Sequence, residues 1–488
     1  MGRVTRSNGK LYWLVTSISC PLIIITVSFS VRYARRPTIY SEISDGDSLS
    51  PTPPNNVPVS APSSAGETQA PTPKPYPCLT SQRELYYAVD RYWSDSTRAM
   101  VEGKYGPIEN WCFPTVTSLS KVFDMERNPG LIKGSYDFLS EWDMSLVEDT
   151  TYMFQGNTHF DGRGLDNWNV SSVRNMAGMF QGASNFNGNL SDWDVSSVED
   201  MASLFQGALI FDGDISRWIT SRVTSMSHMF AGGNAGSTSF RGGIGSWDVS
   251  HVRDMSWMFA GASRFNDDLS KWHTRHVTDF SCMFLDASSF GSDLEKWEVA
   301  SAEDLSFMFA NATSFQSHLS KWKTSKVESM SGMFSGATQF NGDISAWDVS
   351  SVKDMSSMFS KATSFDADLS EWETSSVTAM ELMFSEATSF RGSSLSWWDV
   401  SSVEVMDWMF RGAFRFNANL TRWDVSNVWS MVGMFEGASS FYNNLCPWGG
   451  ILSPSVRIDG MFTSTSCPRE TDPILYADIP GPLCFACS

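Results

Sequence analysis

The 488-residue chain is poor in the residues that do most protein chemistry. It has six histidines and eight cysteines, and its 35 lysines and arginines are outnumbered by 54 aspartates and glutamates. The net charge of −19 and pI near 4.7 repel nucleic acid phosphates and exclude nucleic acid as a partner class. There is no H-E-x-x-H, no G-x-S-x-G, and no complete G-x-G-x-x-G or phosphate-binding loop. His273 and His276 form an H-x-x-H pair with no carboxylate or cysteine in a recognisable motif, so a surface location is expected and no metal site. No nucleophile, base and orienting group stand together, so the sequence gives no reason to expect an enzyme or a cofactor.

Long apolar runs are scarce as well. The exception is Leu11–Val31, 21 residues without a charge, preceded by Arg3, Arg6 and Lys10 and followed by Arg32, Arg35 and Arg36. About 20 apolar residues suffice to span a bilayer. Residues 1–36 therefore read as a cytoplasmic tip and transmembrane signal anchor, or as a signal peptide cleaved near Ser28-Phe29-Ser30. Proline is concentrated: nine of the 20 fall between Pro51 and Pro77, making 37–77 a Pro/Ser/Thr-rich stalk that cannot pack a core.

What is abundant is tryptophan at a fixed period. It recurs at 111, 142, 168, 193, 218, 247, 272, 297, 322, 347, 372, 398, 423 and 448, and nine of the thirteen intervals are 25 residues. Numbering each unit from its Trp, apolar residues occupy positions 1, 3, 6, 9, 12, 13, 16, 19 and 23. In the unit from Trp193 these are Trp193, Val195, Val198, Met201, Leu204, Phe205, Ala208, Phe211 and Ile215. A period in this range marks a solenoid, whose units bury their apolar faces only against one another. Trp193, Trp247, Trp272, Trp297, Trp322, Trp347, Trp372 and Trp423 are read as structural anchors.

Spacings of three or one from position 6 to 16 suggest a short helix or 3-10 segment. Ser197/Asp200 and Ser351/Asp354 look like its start signals, and Gly182, Gly207, Gly336 and Gly437 like its stops. The stretch around each Trp, such as residues 343–349, reads as a short strand. The fold expected is thus an α/β solenoid of leucine-rich-repeat-like coils over 111–462. Capping segments flank it at 78–110 and 463–488, and Ser81-Gln82-Arg83-Glu84 opens an N-terminal capping helix over 81–94. Insertions fall at Asn128–Gly130 and at Gly232–Gly236.

The repeated W-D-V-S-x-V-x-D-M-S-x-M-F line resembles the BspA-type leucine-rich-repeat surface proteins, from about Tyr105 to Phe462. That resemblance implies an extracellular solenoid, often tethered to a membrane, and no reaction. The expected role is adhesion or recognition of an extracellular protein or glycan. The alternative is a passive spacer in a wall or matrix.

Six of the eight cysteines cluster at the ends of the repeats; Cys20 lies in the apolar run and Cys282 at position 11 of its unit. Cys78 and Cys112 are expected to pair, while Cys446, Cys467, Cys484 and Cys487 allow three pairings. Glycosylation sequons occur at Asn169, Asn189, Asn311 and Asn419. Positions 20 and 22 carry paired oxygens, as in Asp212/Asp214 and Asn341/Asp343; they suit turns, or less readily a calcium ladder. Position 11 varies yet is often aromatic. Tyr152, His228, Trp257, Phe307 and Trp408 are the candidate ligand-binding residues, with packing of the coil's flank as the simpler explanation.

Overall fold

A computed structural model describes residues 76–129, 135–233, 236–475 and 481–487, and the backbone of Thr5–Ser7 and Lys10–Tyr12. Two compact units are separated, Met1–Pro75 and Tyr76–Ser488. In the first, β1 (Thr5–Ser7) pairs antiparallel with β2 (Lys10–Tyr12). Leu11 and Tyr12 are therefore extended, and the rest of the apolar run and the stalk up to Pro75 lie outside the described residues. Among the described residues no helix is long and apolar enough to cross a membrane.

The second unit opens with α1 (Gln82–Tyr92) and α2 (Arg98–Tyr105). The capping helix expected from Ser81 is α1: the Ser81 hydroxyl accepts the Glu84 N–H at 3.2 Å, and Leu85, Ala88, Val89 and Tyr92 face the core. The second half of the capping box is shifted by one residue. Glu84 takes the N–H and hydroxyl of Thr80, at 3.0 and 3.1 Å, and the Tyr105 hydroxyl as well. The Thr80 N–H, then the Tyr105 hydroxyl, pull the Glu84 carboxyl down to about 2. Because the folded value lies below the unfolded one, this stabilisation is present above pH about 4.5 and is lost as pH falls toward 2. Glu84→Gln is expected to cost about 1–2 kcal/mol at pH 7. The difference between variant and wild type should shrink in urea titrations at pH 2–3. The helix α2 was not anticipated; it has no side-chain cap at Thr97 and contains Gly103.

The repeats do stack, but not from the elements expected. Residues at position 8, joined in the last coil by Arg457, form thirteen parallel bridges in sequence, from Ser118↔Asp149 through Asp304↔Ser329 to Ser430↔Arg457. Each is isolated; no coil holds a named strand, and no α-helix forms within the repeats among the described residues. The short helical pieces are 3-10 turns such as Leu395–Trp397 and Cys446–Gly450.

Backbone donors alternate instead. In the coil from Trp168, the N–H groups of Met176, Gly178, Phe180 and Gly182 reach the next coil at Asp200, Ala202, Leu204 and Gln206. Those of Met179, Gln181 and Ala183 turn back three residues within their own coil. This zigzag satisfies both sets of polar groups, which burial demands, and it requires left-handed backbone. Position 11 has φ between +54° and +62° from Lys121 through Gly433. The glycines at position 15 belong to the same zigzag, with φ of +70° at Gly182 and +71° at Gly336, so they are not helix stops. The apparent start signal is a turn: Asp200 and Asp354 accept the N–H of Ala202 and Ser356 at 2.9 and 2.8 Å.

Inside runs one aromatic spine. No anchoring Trp is more than 5 % exposed. Neighbouring indoles stack, as Trp322 and Trp347 do at 5.9 Å and 6°. Each indole N–H donates to a backbone carbonyl of an adjacent turn of chain. Trp347 uses Leu319, whose carbonyl also takes the backbone N–H of Trp322, so one acceptor ties two coils. Phe334 and Phe340 stack at 3.8 Å within a coil, and Phe334 and Phe359 at 5.7 Å between coils.

The stack is polar along its length, and its ends are closed accordingly. The inter-coil N–H groups of positions 9, 11, 13 and 15 point toward the C-terminal end, while that of position 7 points back, as Glu199 does to the Arg174 carbonyl. At the first coil, Tyr86 donates to the Ser120 carbonyl and the Arg127 guanidinium to those of Lys121 and Val122. At the last, Asp472 and Glu470 accept the N–H groups of Gly460 and Ser464. Donors thus cover the carbonyl end, and carboxylates the N–H end.

Cys78–Cys112 is bonded as expected, and the C-terminal four pair as Cys446–Cys487 and Cys467–Cys484. No free cysteine occurs among the described residues.

Candidate functional site

The five candidates at position 11 share a column because the zigzag sets them one per coil. All are half-buried. Their left-handed backbone sends each side chain along the stack, onto the same position of the next coil. Tyr152 covers Gly178, where a Cβ would come within 2.2 Å of its ring, and Phe307 covers Gly332 in the same way. Trp408 lies over Gly433. His228 and Trp257 stack at 5.6 Å and 3°, and Lys121 sits 5.3 Å from the Tyr152 ring. Burial pushes the His228 imidazole down, with Asp254 opposing. The column is therefore broken into short aromatic stretches. His228–Trp257 continues through the buried Cys282 to Phe307 and ends on Gly332.

Beside it runs a ladder of carboxylates, at the position that the sequence suggested as a helix start. Position 8 holds Asp254, Asp279, Asp304 and Asp354, and position 10 adds Glu381 and Asp407. Burial raises Asp279, Asp354 and Glu381, and neighbouring ladder carboxylates add to the rise. A raised carboxyl contributes stability below its unfolded value and loses it as pH rises through the folded one. At neutral pH these three carboxyls therefore cost stability. Asn175 already holds this position in one coil, accepting the Ala177 N–H at 2.9 Å. Asp354→Asn is expected to keep the turn and raise the melting temperature by about a degree or two at pH 7. That gain should vanish near pH 3 in thermal scans.

Positions 20 and 22 already spend their oxygens on backbone. Asn341 accepts the Asp366 N–H at 2.8 Å and Asp366 that of Arg391 at 2.9 Å, coil to coil. Asp214, Asp268, Asp343 and Asp368 each accept the N–H two residues on at 3.0 Å. Hydroxyl and N–H of the following serine hold Asp343 and Asp348 below the usual carboxylate range. These are the turns that the sequence suggested. Among the described residues no group of three or more His, Cys, Asp or Glu is placed to hold a metal ion.

Cavities are shallow. One of about 290 Å³ lies over Ser345–Ser350 with Glu371 and Glu373, and another of about 190 Å³ lies between Asp293, Glu295 and His318. Both are smaller than the pockets that enclose small molecules, roughly 300–1,000 Å³. The sequon residues Asn169, Asn189, Asn311 and Asn419 are all exposed. Asn169 and Asn419 accept the hydroxyl of their own Ser171 and Thr421 at 2.7 Å.

Equivalent residues paired coil to coil over one shared spine define a repeat protein. The chain belongs to the family described as Mycoplasma protein of unknown function, DUF285, which matches residues 117–238, 234–322, 303–397 and 372–470. No curated protein matches it significantly. Among solved structures, a chain titled "Crystal structure of TLR13-ssRNA13 complex" aligns over 72 % of this chain and 71 % of its own. Its identity is 10 % and its TM-score 0.11, too low to carry an argument.

Proposed function

We propose that this protein is a non-catalytic, cell-surface binder of extracellular protein or glycan, built as a leucine-rich-repeat-like solenoid of the BspA type. The observation that carries this reading is the half-buried column at position 11, with the parallel His228–Trp257 pair at its centre. Flat aromatic faces on a rigid scaffold offer contact area at small entropic cost, which is why they dominate binding hot spots. Membrane attachment through residues 11–31, or secretion after their cleavage, and N-glycosylation at the four exposed asparagines complete the proposal.

The test is capture on protein and glycan arrays. Trp257→Ser with Phe307→Ser is expected to cut capture about tenfold or more and to leave the unfolding free energy in urea within about 1 kcal/mol of wild type. Wild-type protein that captures nothing would favour a passive spacer. A double variant that unfolds would assign the column to the core.

A further inference from the structure

The net charge of −19 conceals one strongly basic edge. Each anchoring Trp is flanked by exposed positions at the rim of its coil. In three successive coils the flanks read Ser270–His276, Glu295–Ser301 and Ser320–Lys326. They hold six lysines and arginines and two histidines against two glutamates, Glu295 and Glu298. Lys271, Arg275, Lys296, Lys321, Lys323 and Lys326 are all exposed. The same flanks of the next three coils hold no lysine or arginine and four carboxylates, Asp348, Glu371, Glu373 and Asp399.

The spine fixes how these charges are spaced. Trp272 and Trp297 stack at 6.2 Å. The indoles of Trp297 and Trp322 reach back to Leu269 and Leu294 at 3.0 and 2.9 Å, so the three rims are in register. Lys271, Lys296 and Lys321 form a row along one position, and Lys321 also bridges back to Glu295 at 3.2 Å. Rows one coil apart follow the spacing of the stacked indoles beside them, 6.2 Å between Trp272 and Trp297.

We propose that this rim binds a sulfated polysaccharide, with Lys271, Arg275, Lys296, Lys321, Lys323 and Lys326 holding its sulfates. Three features select that partner among polyanions. Among the described residues no large hydrophobic side chain is exposed between Ile219 and Trp397, so the rim has none to insert into a bilayer. The carboxylates on the following coils repel a long stiff duplex running along the stack, whereas a flexible chain can cross the rim or end on it. Exposed Ser325 and half-buried Ser270 and Ser320 supply hydroxyls for sugar oxygens. This site lies at positions 25 to 5, apart from the column at position 11, and does not rest on the reading of that column.

The experiment uses the full-length protein and heparin as the probe. The protein is expected to be retained on heparin at about 0.15 M salt and released as salt screens the contacts. Lys321→Ser/Lys323→Ser/Lys326→Ser should bind about tenfold more weakly. Glu371→Lys/Glu373→Lys should bind more tightly, a gain that misfolding cannot produce. The Trp257→Ser/Phe307→Ser variant should be retained like wild type. Flow-through of the wild-type protein would overturn the proposal, as would unchanged elution of both charge variants. Equal or tighter binding to duplex DNA or to phosphatidylserine vesicles would overturn the assignment to a polysaccharide.

Discussion

Trp322→Ala is expected to cost about 3–5 kcal/mol, the range for deleting a large buried aromatic side chain. Trp322 is fully buried, and its indole N–H is bonded to the Leu294 carbonyl at 2.9 Å. Its ring lies 5.9 Å from Trp347 and 6.3 Å from Phe309. The position is central, so the gap loosens two inter-coil contacts, and neighbouring coils can close it only by breaking their own backbone pairing. Trp397→Ala is the control: Trp397 is 72 % exposed, with the Arg422 guanidinium 4.0 Å above its ring. It should cost no more than about 0.5 kcal/mol. Urea unfolding followed by circular dichroism separates the two. Repeat arrays need not unfold in one step, so Trp322→Ala is also expected to broaden or split the transition.

The second large effect is at the N-terminal cap. Cys78→Ser/Cys112→Ser removes a bond between residues 34 apart. Loop-closure entropy alone puts the loss at about 3–4 kcal/mol. The bond anchors the cap just where the Leu79 N–H meets the Cys112 carbonyl at 2.8 Å and the chain enters α1. The expected result is early loss of α1 and α2, with proteolysis between Tyr76 and Asn110 while the central coils stay protected. Limited proteolysis under non-reducing conditions, read by mass spectrometry, checks this.

The parts of the fold written in side-chain type were legible in the sequence. The Trp period, the buried columns, the start of α1 at Ser81 and the Cys78–Cys112 pair all follow from hydrophobicity, capping or cysteine placement. The backbone inside each coil was not legible. Apolar spacings of three and one belong to a helix, yet here they arise from a zigzag that turns on left-handed residues at position 11. That conformation leaves no compositional mark, because Tyr152, Ser203, His228, Trp257, Phe307 and Leu382 all adopt it. Its cost is met by hydrogen bonds to the next coil, such as Trp257 N–H to the Ser281 carbonyl at 2.9 Å, which a one-dimensional pattern does not contain.

The candidate column was visible, but its direction was not. That Phe307 lies over Gly332, so that an aromatic is followed one coil later by the residue that makes room for it, required the register. The basic rim escaped notice because its lysines are 25 residues apart and vanish in the net charge of an acidic chain.

Amide hydrogen exchange across the coil from Trp322 tests the stacked-repeat account most directly. The N–H groups of Met330, Gly332 and Phe334 donate to the carbonyls of Asp354, Ser356 and Met358 in the following coil. They are expected to exchange about a thousandfold or more slower than free amides, and to lose that protection together in Trp322→Ala. Exchange of these three at free-amide rates in the wild-type protein would contradict the pairing of coil to coil.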